Sequence, residues 1–409
     1  MTKFVELFFR FLIAPIAVGA GLFGRYGTGI EIIEIAWPMV IIFLVCYLIH
    51  SIILTYRHYN LFGDFITTAL VSLFLTNLVA IGLLLINRFY YSLGYLFLFI
   101  LISGIWTVAA EVFKVRHLGK RRFILVKTGN WQLLDSSNLV LTSVDSPEEL
   151  RSLTIEGDIL IDLRQPLTKD WTDILSDLRT KGCTITDIRD VVELSTGRVF
   201  LSTVASDPSL IRWTENYYLP IKRIADILVS LLALLITFPL LVIFAISIWL
   251  TSRGSPIFKQ QRVGLHGKEF TIYKLRTMYA PDNFNVTFTG TNDDRITVLG
   301  RFLRRWRIDE WPQFVNVLRG DMSIVGPRPE RPEWEAIYNI DIPYFSLRHF
   351  VRPGITGWSQ IHFGYASNKI EAESKTEFDL YYIKYFSLTL DITIMIQTVV
   401  VILTGRGYR

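Results

Sequence analysis

The sequence predicts a membrane protein with an α-helical membrane domain, a small α/β domain and a mainly α-helical carboxyl-terminal domain. The 409 residues are 51% hydrophobic and 19% charged, and the mean hydropathy is +0.37. This composition is too apolar for an ordinary soluble protein. Residues 1–113 contain only five of the 42 Lys and Arg residues and five of the 37 Asp and Glu residues. We therefore predict a lipid-embedded domain at residues 1–113, followed by cytoplasmic domains at 114–215 and 216–409.

Four segments of the amino-terminal domain are predicted to span the bilayer as a helical bundle. Ile35–Leu54, Phe65–Ile86 and Phe89–Ala110 are uncharged, and each has the roughly 20 residues that a helix needs to cross the hydrocarbon core. Leu7–Phe23 is the weakest of the four, because it contains Arg10, a proline and several glycines. A signal peptide is the alternative for that segment.

Basic residues predict the orientation of these spans, because Lys and Arg are retained on the cytoplasmic side. They lie before or at the start of the first segment, separate the second from the third and follow the fourth: Lys3, Arg10, Arg57, Lys114, Arg116, Lys120, Arg121 and Arg122. Only Arg25 and Arg88 fall on the opposite side. Both termini, and everything from about residue 114 onward, are therefore predicted to be cytoplasmic.

Residues 120–215 alternate β-rich and helical runs, which predicts a small Rossmann-like α/β domain with a parallel sheet. Strands are expected at Phe123–Lys127, Leu139–Ser143 and Asp158–Asp162. Helices are expected at Pro147–Leu153, which Ser146 would cap, and at Trp171–Lys181. A dinucleotide site needs a glycine-rich turn after the first strand, and this turn has only Gly129. We therefore expect a regulatory or structural domain that does not bind nucleotide.

Ile227–Ser252 carries no charge and is long enough to be a fifth span. Pro239 lies at its centre, where it removes a helix hydrogen bond and kinks the chain. Lys and Arg residues flank both ends, which disfavours crossing. We predict a re-entrant helix–break–helix hairpin over about 224–252 that enters and leaves on the cytoplasmic face. The alternative, a kinked crossing helix, would place the rest of the chain outside the cell.

Residues 254–363 concentrate residue types that bind phosphate and catalyse its transfer. Asp309 and Glu310 are adjacent carboxylates, and Pro312 just after them favours a helix start. Neighbouring carboxylates repel each other unless a cation or proton separates them, and Mg²⁺ is typically held by one or two carboxylates plus substrate phosphates. The other carboxylate is then a candidate nucleophile or base. Alone, such a pair is more often solvated helix surface.

Two groups of basic residues lie in this region. Lys274, Arg276, Arg295 and Arg328 each have Gly, Pro or Thr nearby, in contexts where they can bind a phosphate and neutralise a diphosphate under attack. The second group combines basic and apolar residues and predicts an interfacial amphipathic helix, with a solvated basic face as the alternative: Arg301, Phe302, Leu303, Arg304, Arg305, Trp306 and Arg307. Phe386–Thr404 is apolar but contains Asp391 and Gln397, so we place it along the membrane interface.

Other classes of function are disfavoured. The six histidines lack metal-ligand spacing, and the sequence has neither a Walker A motif nor a Ser/His/Asp arrangement. The basic residues lack the motifs of nucleic-acid binders, so no nucleic-acid partner is expected. The two cysteines lie in very different segments and predict no disulfide framework.

The carboxyl-terminal half, roughly Tyr217–Arg409, resembles the bacterial sugar transferases, which are monotopic polyprenyl-phosphate phosphoglycosyl transferases. Besides the proline-broken hydrophobic helix, the resemblance rests on ordered motifs: Gln-Arg-Val-Gly at 261–264, Lys-Leu-Arg-Thr-Met at 274–278, Asp-x-Arg-Ile-Thr at 293–297, Asp-Glu-x-Pro-Gln at 309–313, Gly-Pro-Arg-Pro-Glu at 326–330 and Arg-Pro-Gly-Ile-Thr-Gly at 352–357. With its amino-terminal spans, the chain is similar to the large members, the undecaprenyl-phosphate glucose or galactose phosphotransferases. Many of those carry a glycine-rich turn where this chain has only Gly129.

The resemblance implies a two-step transfer of a hexose phosphate. Asp309 would attack the sugar-side phosphorus of a UDP-sugar, release UMP and pass the phospho-sugar to undecaprenyl phosphate. Glu310 would hold Mg²⁺ together with Asp309, or activate the acceptor. Arg328 would grip a substrate phosphate, and Pro239 would be the break of the re-entrant helix.

The resemblance also implies a multi-pass protein of the bacterial inner membrane that begins exopolysaccharide, capsule or O-antigen synthesis. The apolar spans offer surface for a homodimer. The alternative is a catalytically inactive membrane scaffold that organises other assembly enzymes. The motifs do not specify the sugar.

Overall fold

The computed structural model describes residues 30–56, 65–86, 93–117, 121–126, 139–152, 158–163, 167–201, 204, 218–252, 254–279, 295–363 and 368–404. The chain divides into two compact units, Met1–Thr196 and Gly197–Arg409.

Three long helices form the first part of the amino-terminal unit: α1 (Ile30–Tyr56), α2 (Phe65–Ile86) and α3 (Leu93–His117). Their buried aromatic residues pack edge to face, and the Phe43 and Phe99 ring centroids lie 5.0 Å apart. The helices confirm the helical character of the three apolar stretches. By length and composition, the segment Leu96–Phe113 of α3 can cross a membrane. The fourth predicted span, at residues 7–23, lies outside the described residues.

The second part of this unit is a four-stranded sheet in the order β2-β1-β3-β4. All its strand pairs are parallel, as the sequence predicts. Its elements are β1 (Arg121–Val126), β2 (Leu139–Val144), α4 (Pro147–Ser152), β3 (Asp158–Ile161), α5 (Lys169–Thr180), β4 (Ile185–Asp187) and α6 (Ile188–Thr196). The sequence analysis missed β4 and α6. The turn that contains Gly129 lies outside the described residues.

The predicted cap of α4 is present. The backbone N–H of Glu149 donates to Ser146 Oγ over 3.2 Å, and the Glu149 side chain accepts from the backbone N–H of Asp145 over 3.0 Å. The arrangement resembles a capping box, except that the acidic side chain accepts from the residue before the cap instead of from the cap itself.

The carboxyl-terminal unit begins with the 34-residue helix α7 (Tyr218–Thr251), which is also long and apolar enough to cross a membrane. Pro239 lies inside α7 and does not end it, so the predicted helix–break–helix is one continuous helix in the structure. Proline removes a single hydrogen bond from the helical ladder, and the remaining bonds carry the helix through it. Most of the α7 side chains are exposed apolar groups.

Both ends of α7 contact the same folded domain. Near its start, Arg223 donates to the carbonyl oxygen of Val317 over 2.6 Å, and Asp226 accepts from the backbone N–H of Ile324 over 3.2 Å. Just beyond its end, the Ser252 carbonyl oxygen accepts from Arg276 over 2.7 Å. Ile248, one turn earlier, is buried in an apolar cluster of that domain.

The domain beyond α7 is small and mostly helical. It contains an antiparallel hairpin of β5 (Ile257–Val263) and β6 (Glu269–Leu275), and a parallel pair of β7 (Ser323–Val325) and β8 (Gly354–Thr356). Its helices are α8 (Val298–Arg305), α9 (Gln313–Arg319), α10 (Pro332–Asp341), α11 (Trp358–His362), α12 (Lys369–Lys384) and α13 (Leu388–Thr404), with 3₁₀ turns at Leu265–Gly267, Ile308–Glu310 and Phe345–Phe350.

A buried carboxylate fixes α13 against the start of α7. Asp391 accepts hydrogen bonds from Lys222 Nζ (2.6 Å), Tyr218 (2.6 Å) and Tyr382 (2.7 Å). The Lys222 and Asp391 side chains are 9% and 4% exposed. Asp391, the charged residue of the apolar segment Phe386–Thr404, therefore anchors α13 to α7.

Replacing Asp391 with Ala is expected to lower the free energy of unfolding by about 3–5 kcal/mol, because the buried Lys222 ammonium would lose its ion-pair partner and two tyrosine hydroxyls would lose their acceptor. Thermal unfolding of the detergent-solubilised chain measures the loss. Asp341→Ala is the control, since the Asp341 pair with Lys369 is exposed and spans 4.0 Å, and such pairs contribute less than about 1 kcal/mol. Equal stability of the two variants would contradict the prediction.

Candidate active site

The two adjacent carboxylates lie at the junction of a 3₁₀ turn and a helix. Asp309 and Glu310 belong to the turn Ile308–Glu310, and α9 begins just after Pro312, as its position in the sequence predicts. Arg307, before the turn, has a left-handed backbone with φ of 52°. Few non-glycine residues adopt this conformation. It turns the chain sharply just before the two carboxylates.

Glu310 is buried at the meeting point of three cations. Its Oε1 accepts from Lys274 Nζ over 2.9 Å and from Arg328 Nη2 over 3.0 Å, and its Oε2 lies 3.6 Å from Arg307 Nη1. Burial alone would raise the pKa of Glu310, but the charges of Lys274, Arg328 and Arg307 outweigh it and hold the pKa well below its usual range. Glu310 is therefore an ionised carboxylate that orients its cationic neighbours.

Asp309 has a different environment from Glu310. Within the described residues no cation contacts its carboxylate, because Lys274 and Arg328 are directed to Glu310. Burial, and next the charge of Glu310, raise the pKa of Asp309 to about 6, against the opposing charges of Lys274, Arg304 and Arg328. The two neighbours therefore differ in role. Cations neutralise Glu310, whereas within the described residues no cation contacts the Asp309 carboxylate.

The structure brings together some of the predicted phosphate-binding residues and separates others. Lys274 on β6 and Arg328 meet at Glu310. The Arg276 guanidinium instead donates to Ser252, over 2.7 Å to its carbonyl oxygen and 2.8 Å to its hydroxyl. The carbonyl oxygen of Arg295 accepts from the backbone N–H of Tyr279 over 2.9 Å, in the strand-like contact after β6. Pro239 lies within α7.

Two arginines near the carboxylates, Arg304 and Arg307, were not predicted to be site residues, because their sequence pattern predicts an amphipathic helix. Arg307 lies beyond the end of α8 and approaches Glu310, three residues along the chain. Arg304 is on α8 and donates to Thr277 Oγ1 over 2.8 Å, and its charge lowers the pKa of Asp309. The spacing of three residues between Arg307 and Glu310 was the available signal.

The loop 326–330 that carries Arg328 is held through its backbone. Arg348 donates to the Arg328 carbonyl oxygen over 2.8 Å, and Arg262 donates to that of Pro329 over 3.0 Å. A Cβ atom on Gly326 would lie 2.3 Å from the carbonyl oxygen of Arg352, so only glycine fits there. The backbone at Arg328 is therefore fixed by Arg348 and Arg262, while Glu310 orients the Arg328 guanidinium.

A buried ion network lies behind this loop. Arg348 pairs with Asp379 over 2.8 Å, Lys375 pairs with Glu330 over 2.5 Å, and Ser359 donates to Asp379 over 2.7 Å. Burial would raise the pKa of Glu330, but Lys375 and Arg348 lower it to about 2. These pairs join α12 to the loop, so the carboxyl-terminal helices support the site.

Helix α8 presents apolar side chains to the exterior beside α7. Val298, Phe302 and Trp306 are 75%, 47% and 39% exposed, whereas Leu303 is buried. The Phe302 ring centroid lies 6.4 Å from that of Phe244 on α7. Exposed aromatic and basic residues on one short helix are typical of the membrane interface.

The acidic residues of the site suit a cation only when substrate supplies most of its ligands. Within the described residues, no group of three or more His, Cys, Asp and Glu could hold a metal ion. Two hydrogen bonds already occupy Glu310 Oε1, which leaves Glu310 Oε2 and the Asp309 carboxylate. Mg²⁺ is commonly bound by one or two carboxylates plus substrate phosphates, so this donor set fits Mg²⁺ shared with a diphosphate.

Comparison with known proteins shows the family. The model of the family described as "Bacterial sugar transferase" matches residues 217–405. A UDP-N-acetylgalactosamine-undecaprenyl-phosphate N-acetylgalactosaminephosphotransferase of Aeromonas hydrophila is 37% identical over 281 residues, which cover 68% of this chain and 64% of that protein. A UDP-glucose:undecaprenyl-phosphate glucose-1-phosphate transferase of Escherichia coli is 44% identical over 182 residues, which cover 44% of this chain and 39% of that protein.

A shorter relative is covered almost completely. An exopolysaccharide production protein of Rhizobium leguminosarum is 41% identical over 198 residues, which cover 46% of this chain and 99% of that relative. The chain spans less than two thirds of the Aeromonas and Escherichia proteins. The longer match to the Aeromonas protein extends beyond the range of the family model, into the amino-terminal half. The chain therefore belongs to the bacterial sugar transferase family, as one of its large members.

Proposed function

We propose that this protein is an enzyme that transfers a hexose 1-phosphate from a UDP-sugar to undecaprenyl phosphate, with release of UMP. The observation that carries the proposal is the pairing of a cation-bound Glu310 with Asp309, which no cation contacts among the described residues. The Aeromonas and Escherichia relatives are named for activities of this type. An inactive scaffold would not need two partly buried cations arranged around an acidic pair.

Asp309 is proposed as the nucleophile. One of its carboxylate oxygens forms a bond to the sugar-side phosphorus of the donor, while the bond from that phosphorus to the bridging oxygen breaks and UMP leaves with the electron pair. An oxygen of undecaprenyl phosphate then attacks the same phosphorus. This second step restores the Asp309 carboxylate and yields the lipid-diphosphate sugar.

The cations of the site lower the cost of bringing an anion to a diphosphate. Lys274 and Arg328 lie together on Glu310, where their positive charges can stabilise phosphate oxygens. Glu310 holds both in place, so little reorganisation is needed when substrate binds. Asp309 and Glu310 would hold Mg²⁺ together with the donor phosphates, and the bound ion would supply positive charge that neutralises the diphosphate.

The contacts of α7 support a re-entrant arrangement. Arg223 at its start and Ser252 after its end both contact the domain that carries Asp309. That domain folds on one side of a bilayer, so a helix with both ends on it does not cross. The exposed apolar surface of α7 and α8 would then hold Asp309 near the depth of lipid phosphates. We also propose that the amino-terminal domain spans the bacterial inner membrane four times and that the catalytic domain is cytoplasmic.

Cysteine labelling tests the re-entrant arrangement. We expect a single cysteine at Ser255, after the end of α7, to react from the cytoplasmic side in a chain whose Cys46 and Cys183 are replaced. A cysteine at exposed Asp177 in the amino-terminal unit is the reference for that side. Labelling of the two positions from opposite sides of sealed vesicles would show that α7 crosses the membrane. The same assay on Pro239→Leu shows whether the proline sets the topology.

We propose a pathway from the reaction class and a homodimer from the membrane helices. A lipid-diphosphate sugar is a starting unit for exopolysaccharide, capsule or O-antigen, and the Rhizobium relative is named for exopolysaccharide production. The membrane helices offer surface for a homodimer.

The experiment that tests the function is UMP release by the detergent-solubilised full chain. The assay contains Mg²⁺, undecaprenyl phosphate and one UDP-sugar at a time, including UDP-glucose and UDP-N-acetylgalactosamine. We expect release with at least one donor, dependent on the acceptor lipid for multiple turnovers. Absence of release with every UDP-hexose and UDP-N-acetylhexosamine would contradict the proposal.

A further inference from the structure

Arg307 is a cation of the carboxylate site whose side chain makes no hydrogen bond within the described residues. Its Nη1 lies 3.6 Å from Glu310 Oε2, whereas Lys274 and Arg328 both donate to the other oxygen, Oε1, over 2.9 and 3.0 Å. The two oxygens of Glu310 therefore divide the cations into a hydrogen-bonded pair and a third that is not held in this way. The Arg307 side chain is 24% exposed, against 16% for each of the other two, so it is accessible to a ligand.

The backbone brings Arg307 from the end of α8 to the carboxylates. Arg307 is the second residue after α8, and its φ of 52° and ψ of 24° are left-handed. The backbone N–H of Glu310 donates to the Arg307 carbonyl oxygen over 3.3 Å, so the turn closes around Asp309. Residues with such a backbone are concentrated at functional sites, where the surrounding structure holds them in place. The turn therefore fixes Arg307 beside both carboxylates.

Arg307 also adjoins the two helices that have exposed apolar surfaces. Ile308, the next residue, is buried in a cluster with Leu303 of α8 and Ile248 of α7. Trp306, the preceding residue, is 39% exposed. Exposed aromatic and basic residues of this kind are typical of the membrane interface. Arg307 therefore joins the apolar surface of these helices to the carboxylate pair, on the side from which a lipid headgroup would approach.

The proposed reaction brings two anions to one carboxylate, one after the other. The donor diphosphate comes first, and Lys274 and Arg328 lie together on Glu310 to stabilise it. The acceptor phosphate comes second, when the site already holds a phospho-sugar on Asp309. A second anion needs positive charge of its own, and a guanidinium can bind a phosphate through two parallel N–H donors. Arg307 has the charge, the exposure and the position for this second role.

We propose that Arg307 binds the phosphate of the acceptor lipid and places one of its oxygens for attack on the phospho-sugar. In that step the acceptor oxygen forms a bond to the phosphorus, the bond from that phosphorus to Asp309 breaks, and the carboxylate keeps the electron pair. The inference rests on the proposed function for the two-step reaction. It assigns the acceptor phosphate to Arg307 and the donor diphosphate to Lys274 and Arg328.

Variants at two neighbouring arginines test this assignment. Arg307→Asn removes the charge, and asparagine is among the residues that tolerate a left-handed backbone. Arg307→Lys keeps the charge but loses the paired N–H donors. Arg305→Asn is the matched control, because Arg305 is an exposed arginine at the end of α8 and contributes equally to any general attraction of a basic helix for an anionic lipid. Thermal unfolding shows whether each variant is folded.

Steady-state UMP release gives the two KM values. We expect Arg307→Asn to raise the KM for undecaprenyl phosphate by about tenfold, and the KM for the UDP-sugar by less than about threefold. Arg307→Lys should show a smaller rise in the acceptor KM, and Arg305→Asn should leave both values unchanged. An unchanged acceptor KM in Arg307→Asn, or an equal rise in Arg305→Asn, would overturn the proposal. If Arg307→Asn does not fold, an unchanged acceptor KM in Arg307→Lys overturns it instead.

The two half-reactions separate the acceptor from the donor. Without acceptor, a single turnover releases one UMP as the phospho-sugar forms on Asp309. We expect the rate of this burst in Arg307→Asn to stay within about threefold of wild type, and the transfer to a low concentration of added undecaprenyl phosphate to be about tenfold slower. A burst that slows as much as the transfer would assign Arg307 to the donor diphosphate and overturn the proposal.

Direct binding separates failure of this inference from failure of the proposed function. If the wild-type chain releases no UMP with any donor, the proposed function fails, and equilibrium binding of labelled undecaprenyl phosphate to the detergent-solubilised full chain tests Arg307 alone. Undecaprenol is the probe without a phosphate. Weaker binding of the phosphate lipid in Arg307→Asn than in wild type and Arg305→Asn, with equal binding of undecaprenol, supports the proposal. Equal binding of the phosphate lipid by all three proteins overturns it. Wild-type turnover with an unchanged Arg307→Asn would leave the function standing and remove the assignment of Arg307.

Discussion

Replacing Asp309 with Asn is expected to reduce UMP release by about 10³-fold or more, because the amide has no anionic oxygen to attack phosphorus. The variant should still fold. Burial and the charge of Glu310 raise the pKa of Asp309, so the ionised Asp309 is held in the folded protein at a cost, which a neutral amide of the same shape removes. Thermal unfolding of both proteins measures that expectation beside the activity.

Asp341→Asn is the matched control, because Asp341 is an exposed acid whose pair with Lys369 spans 4.0 Å. It should retain wild-type UMP release. Mass spectrometry of the wild-type chain, mixed with UDP-sugar and no acceptor, should find the added phospho-sugar on the peptide that contains Asp309. Wild-type rates in Asp309→Asn, or the adduct on another residue, would exclude Asp309 as the nucleophile.

The sequence predicted the site where the chemistry depends on local order, and less well where it depends on tertiary contacts. Adjacent carboxylates before Pro312 were expected at a helix start, and they lie in the turn before α9. Lys274 and Arg276 are two residues apart and would share one face of an extended strand. However, β6 ends at Leu275, so Arg276 leaves the strand and contacts Ser252. Strand ends are difficult to predict from sequence.

The end of the helix in the arginine cluster at 301–307 was equally difficult to predict from the sequence. A helix through all seven residues would place Arg307 on its surface, but α8 ends at Arg305 and the chain turns through a left-handed residue. Arg307 consequently approaches Glu310. A left-handed arginine is rare enough that sequence patterns do not predict it.

Helix α7 is a further element that the sequence predicted only in part. Proline and flanking charge predicted a break at Pro239, whereas α7 continues through it. The contacts that place both ends of α7 on one domain come from Val317 and Arg276, far away in sequence. In the α/β domain the parallel sheet followed from the alternation of runs, but β4 has only three residues, too few to show a period of two.

Arg328→Ala is expected to lower kcat/KM for the UDP-sugar by about 10²–10³-fold, the usual loss when one donor to a developing phosphate or oxyanion charge is removed. The chain should remain folded, because Glu310 keeps Lys274 at 2.9 Å and Arg307 at 3.6 Å. No uncompensated buried charge is left, and the loop is still held by Arg262 through the Pro329 carbonyl oxygen. The measurement is UMP release, with circular dichroism as the check on folding.

Arg276→Ala is the informative comparison, because both arginines occupy motifs that the sequence marks as phosphate-binding. The Arg276 guanidinium is hydrogen-bonded to Ser252 at the end of α7, so its loss should loosen that end of the helix and lower thermal stability, with a much smaller effect on kcat/KM. Arg328→Ala should show the reverse pattern, near-normal stability with a large kinetic loss. If the two variants exchange these behaviours, Arg276 moves to the substrate when it binds, and the cation that contacts the phosphates is not the one that contacts Glu310 in this structure.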